Sequence, residues 1–128
     1  MQSKYKVALA MIGSFALGAA AIECLHAQAK PPAYTVAEIA VTDKEGFTKE
    51  FLPAAGKAIE DAGGTYVVRA GRTVSFVGAS PESRVVVLKF DNMDKAQAWW
   101  DSPGRKETQP TGDKYAKFRV FAVEGVSP

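Results

Sequence analysis

The chain has 128 residues, 47% hydrophobic and 23% charged, with 16 basic against 14 acidic side chains. That length and composition suit a single folded domain. The near balance of charge excludes the concentrated basic face that nucleic-acid binding requires, and the only cysteine (Cys24) and only histidine (His26) both fall within the first thirty residues.

Residues 1–29 read as a secretory signal peptide. Lys4 and Lys6 precede an uncharged stretch from Val7 to Ile22, and Ala27-Gln28-Ala29 supplies the small-residue cleavage pattern. The apolar run of 16 residues is shorter than the roughly 20 that a spanning helix needs. Cleavage after Ala29 is therefore expected, with the product in the bacterial periplasm and membrane contact only during export. The exported part has neither cysteine nor histidine. That excludes cysteine nucleophiles, histidine bases, zinc sites built on those ligands and histidine-ligated haem. No EF-hand spacing and no phosphate loop occur, so no metal and no cofactor are expected.

Residues 30–33, Lys-Pro-Pro-Ala, form an extended linker ahead of a domain over 34–126. Tyr34 to Val41 carries β-branched and aromatic residues and predicts a first strand. Thr42 and Glu45 form a T-x-x-E capping box, with Asp43 in the first turn. The helix that follows places Phe47, Phe51, Ala55, Ala58, Ile59 and Ala62 on one stripe. Pro53 should kink or divide it, and Gly63-Gly64 should end it. Thr65 to Ala70 predicts a second strand, and Gly71-Arg72 a turn into a short strand over Thr73 to Val77. Gly78 to Ser83 is a loop, and Arg84 to Phe90 is the strongest strand in the chain. Asp91 and Asn92 cap a helix from Met93 to about Asp101, stopped by Ser102-Pro103-Gly104. Arg105 to Lys114 is polar without clear periodicity and reads as a helical turn or a mobile loop. Tyr115 to Val123 is the last strand. The order is that of the α+β, ferredoxin-like βαββαβ arrangement: a four-stranded antiparallel sheet with two helices on one face.

Such a sheet should be polar on its uncovered face. Here Val85, Val87, Phe121 and Val123 oppose Val86, Leu88, Phe90, Phe118, Val120 and Ala122, and Val67 opposes Tyr66 and Val68. Each large apolar side chain gains roughly 1.5–3 kcal/mol on burial, so a doubly apolar sheet implies a second copy and a homodimer.

The motifs in order are Tyr34-to-Val41 with Thr42-Asp43, the Gly64–Arg69–Gly71 run, Val85-to-Phe90, Ala96-Gln97-Ala98-Trp99 with Ser102-Pro103, and Arg119 with Val123-Glu124-Gly125. Together they resemble the domain of unknown function 1330 family over Tyr34 to Val126. The resemblance implies ferredoxin-like subunits that pair into a dimeric α+β barrel, and it implies no established activity. Two positions depart from the family pattern. Gly104-Arg105 follow Ser102-Pro103 where an acidic residue and a tyrosine are common, and Phe118 precedes Arg119 where a small polar residue is frequent.

Arg69 and Arg119 interrupt apolar strands, so each needs a partner. They suit a carboxylate or enolate clamp, an internal ion pair with Glu38, Asp43 or Glu124, or a strand-edge position open to water. Asp43 is the candidate general base, or a helix-dipole residue. Trp99 and Trp100 lie about 100° apart on a helix, so one should pack on the sheet and the other face a cleft or a subunit contact. Tyr34, Tyr66 and Tyr115 offer phenolic hydrogen bonds, Tyr66 to the same ligand as the arginines. Three functions fit these residues: a binding module for a small apolar-acidic molecule, a cofactor-independent enzyme using proton transfer, or a structural dimer with a filled interior.

Overall fold

Alternating apolar positions build the sheet on which the site rests. The structure, a computed structural model, describes residues 30–128; the export signal read at residues 1–29, with Cys24 and His26, lies outside the described residues. Strands β1 (Ala33–Val41), β2 (Thr65–Arg69), β3 (Arg84–Phe90) and β4 (Ala116–Glu124) form one sheet in the order β2-β3-β1-β4. Every pairing is antiparallel, and the fold is ferredoxin-like. The helix-facing parity carries the core: Ala33, Ile39, Val86, Leu88 and Phe90 are buried against Phe47, Ile59, Ala96 and Trp99.

The first helical region runs in three pieces: α1 (Lys44–Gly46), a π-helical turn (Phe47–Phe51) and α2 (Leu52–Asp61). Its cap is Asp43, which accepts the Gly46 N–H at 3.1 Å, rather than Thr42. Thr42 instead donates its hydroxyl to the Tyr115 carbonyl at 3.0 Å, tying the helix start to the residue that precedes β4. Pro53 explains the division. It has no N–H for the carbonyl four residues back, and the Leu52 N–H bonds to the Phe47 carbonyl five residues back. The helix therefore widens for one turn just before the proline.

The expected strand over Thr73 to Val77 does not form. Residues 71–83 carry no strand, and β2 pairs directly with β3. Phe76 and Val77 are 91% and 94% exposed. The segment adds to neither side of the sheet: β3 is flanked by β1 and β2, and the outer edge of β2 stays unpaired among the described residues. A β-branched composition makes a strand only where the side chains find a surface to pack on. A bulge between Tyr66 and Val68 also breaks the alternation expected in β2. Tyr66 pairs with helix-facing Leu88, whereas Val68 pairs with Val87 on the other face, because one extra residue inverts side-chain parity.

Helix α3 (Met93–Asp101) is capped by Asn92, whose side chain accepts the Lys95 N–H at 3.0 Å. The polar stretch after it forms a 13-residue helix, α4 (Pro103–Tyr115), despite Pro110 within it. Ser102 ends α3 and caps α4, accepting the Arg105 N–H at 3.3 Å, with Pro103 at the start, where a missing N–H costs nothing. Side-chain bonds one turn apart brace it: Arg105 to Gln109 at 3.0 Å and Gln109 to Asp113 at 2.8 Å. Gly112 lets the backbone approach the core, since a Cβ there would stand 2.8 Å from the Phe51 ring.

At the foot of α4 the Tyr115 hydroxyl donates to the Glu50 carboxylate. That bond, with burial second, holds the phenol above its ordinary value of 10.0. A raised folded-state pKa stabilises the protein fully below the ordinary value, and that contribution is lost as pH climbs through the elevated one. Urea midpoints should therefore fall more steeply above a pH of about 10 in the wild type than in Tyr115→Phe.

Candidate functional site

Two small side chains leave a gap between sheet and helices. Ala37 sits in the middle of β1 with Val86 and Val120 as its register partners, and Ala55 comes from α2. Both line a cavity of about 90 Å³. Its apolar wall includes Phe51, Leu52, Ile59, Val86, Leu88, Phe118 and Val120. Its polar lining comes from Thr35, Tyr66, Arg84 and both tryptophans, with Arg105, Thr108 and Gln109 from α4. No aspartate or glutamate is among the described lining residues, so the only formal charges in the lining are the positive ones of Arg84 and Arg105.

Two of the lining side chains hold buried donors without acceptors: Arg84 Nε and Trp99 Nε1. Arg84 opens β3 on the helix-facing parity, and its guanidinium lies 5.5 Å from the Phe47 ring centroid. Burial, then the nearby Arg69, push its pKa below the ordinary arginine value. A buried donor without an acceptor costs about 1–3 kcal/mol. Trp99 is 8% exposed and stacks on Phe90 at 5.5 Å.

Trp100 stands edge-on to Trp99 at 5.8 Å and is partly open to solvent. Arg105 is laid against it, with the guanidinium 3.7 Å from the ring centroid and Nε donating to the Trp100 carbonyl at 2.5 Å. Burial lowers the Arg105 pKa, with Asp101 opposing. Trp99 thus packs on the sheet through Phe90 while Trp100 stands toward solvent, and both line the cavity.

The site residues read from sequence divide between two faces. Tyr66, Trp99 and Trp100 come together in the cleft. Arg69 stands beside it, 4.4 Å over the Tyr66 ring. Arg119 is on the opposite face, where its register partner Glu38 pairs with it at 2.5 Å. The Arg119 side chain is 70% exposed and lies 5.1 Å from the Phe121 ring, so it does not share the cleft with Arg84. Asp43 is an exposed cap outside the lining. Tyr115 is engaged with Glu50. Sequence reasoning passed over Arg84, although its parity with Val86 and Leu88 was the available signal. Arg105 and Phe118, the two departures from the family pattern, both line the cavity.

The sequence model of the family described as Domain of unknown function (DUF1330) matches residues 32–126. A crystal structure of a protein of unknown function from Rhodopseudomonas palustris superposes with a TM-score of 0.62 at 12% identity, covering 77% of this chain and 85% of that one. The methylated form of the same protein gives 0.60 at 11% identity, over 77% and 84% of the two chains. No curated protein matches the sequence.

Proposed function

The chain belongs to the DUF1330 family, whose description states no activity, and from that premise we propose an exported homodimer in which each subunit binds a small apolar-acidic molecule. The observation that carries this reading is the buried, unpartnered Arg84 Nε in a cleft that has an extensive apolar wall and no carboxylate among its described lining residues. A guanidinium there is matched by a carboxylate, through charge-assisted bonds that an apolar surround strengthens. A cavity of about 90 Å³ favours this over a structural dimer with a filled interior.

Pairing of two subunits is supported by the outer sheet face. Val36, Val85 and Val87 lie there with Phe121 and Val123, which are 43% and 50% exposed. Covering such a patch with a second copy removes it from water. Phe121→Lys should convert the protein to a monomer in sedimentation velocity runs; an unchanged sedimentation coefficient would argue against pairing through this face.

The binding reading is tested by native mass spectrometry of protein recovered after export. A dimer carrying a small acidic mass is expected, and Arg84→Met should lose that mass while remaining a dimer. Retention of the same mass by Arg84→Met would overturn it.

A further inference from the structure

The cleft has length as well as volume, and its two unpartnered donors belong to different rows. On the helix-facing side Ile39, Arg84 and Phe118 form one row, Ala37, Val86 and Val120 the next, and Thr35, Leu88 and Ala122 the third. The cavity touches Ile39, Ala37 and Thr35 in turn, four residues of strand or about 14 Å. Arg84 belongs to the first row, beside Phe47. Trp99 stacks on Phe90, which lies one row beyond Thr35 and Leu88 in the register.

Resting on the binding function proposed above, we infer that the ligand is bipolar: a carboxylate at Arg84, an apolar spacer over Ala37 and Ala55, and a neutral carbonyl oxygen at the Trp99 indole N–H. The two donors demand different partners. A guanidinium in an apolar wall calls for an anion, whereas an indole N–H is neutral and is satisfied by an uncharged acceptor without burying a second charge. A ligand with only one polar end leaves one donor unpaired, and that residual cost is what discriminates between the two kinds of ligand. Allowing for side chains leaning inward from both ends, the two acceptors are separated by on the order of 10 Å, within the span of the three rows.

The test compares octanoate with its keto analogue, which carries a carbonyl beside the terminal methyl, on the exported dimer. The ketone should tighten binding about three- to tenfold, the range of one neutral hydrogen bond, and Trp99→Phe should abolish the difference between the two acids, whatever it does to the affinity for each. Because Trp99 packs on Phe90 and its replacement could perturb folding, the wild-type indole resonances provide a second reading. The chain has two tryptophans, and the Trp99 N–H signal should move downfield with the keto acid but not with octanoate. Octanoate binding that depends on Arg84, with no gain from the ketone and no Trp99 response, overturns the bipolar ligand and leaves the binding function standing. Failure of both acids to bind overturns the two together.

Discussion

Phe90→Ala is expected to destabilise the domain by about 3–5 kcal/mol, read as a shift of the urea midpoint. Phe90 is 1% exposed and sits at the end of β3, where its ring is stacked on Trp99 and would stand 2.8 Å from a Cβ at Gly64. It therefore joins the sheet, α3 and the turn that leaves α2. Truncation removes the apolar contacts of a whole ring and leaves a void that packed neighbours fill only partly. The same change withdraws the surface that orients Trp99, so ligand affinity should fall even where the domain remains folded. A midpoint shift corresponding to less than about 1 kcal/mol, below the range for such truncations, would contradict this account of the core.

Arg84→Met should weaken octanoate binding about ten- to hundredfold, the range for a hydrogen bond to a charged group, and should raise stability or leave it unchanged. The two effects have opposite signs for one physical reason. Without ligand, Arg84 Nε is a buried donor with no acceptor, held where desolvation disfavours the charge; methionine fills similar space with no polar atom to satisfy. The cation–π contact with Phe47 offsets part of the cost, so a gain of about 1 kcal/mol is the upper expectation. Arg119→Met serves as the control. That side chain lies on the other face against Glu38, and octanoate affinity should not change. Calorimetric titration of the three proteins, with urea unfolding of each, reads both effects. Equal losses in the two variants would remove the assignment of the anion to the cleft.

Much of the fold was legible because burial leaves a period in the sequence. Val86, Leu88 and Phe90 alternate with Val85 and Val87, and the structure buries the former and leaves the latter more open. The stripe from Phe47 to Ala62 turns inward as its spacing implies, and Met93–Asp101 forms the helix that its cap and stripe mark out. The misreadings share a cause: local composition is silent on what a segment meets. Thr73–Val77 has strand-forming residues and no strand pairing in the sheet. Helix α4 has two prolines, two glycines and no apolar period. It is held by polar bonds one turn apart and by close approach at Gly112, neither of which leaves a hydrophobic signature. The cleft was legible only in part. Trp99, Trp100 and Tyr66 announce themselves as aromatics near a sheet. The gap itself arises where Ala37 and Ala55, far apart in sequence, line one space, and only the folded chain brings them together.

The most direct measurement is the guanidinium Nε–H resonance of Arg84 during titration with octanoate. Donation to a carboxylate should shift that one signal progressively to saturation, while the Arg119 signal stays in place. An Arg84 resonance that remains fixed while octanoate binds, or movement of Arg119 in its stead, would contradict the assignment of the acid to the cleft between sheet and helices.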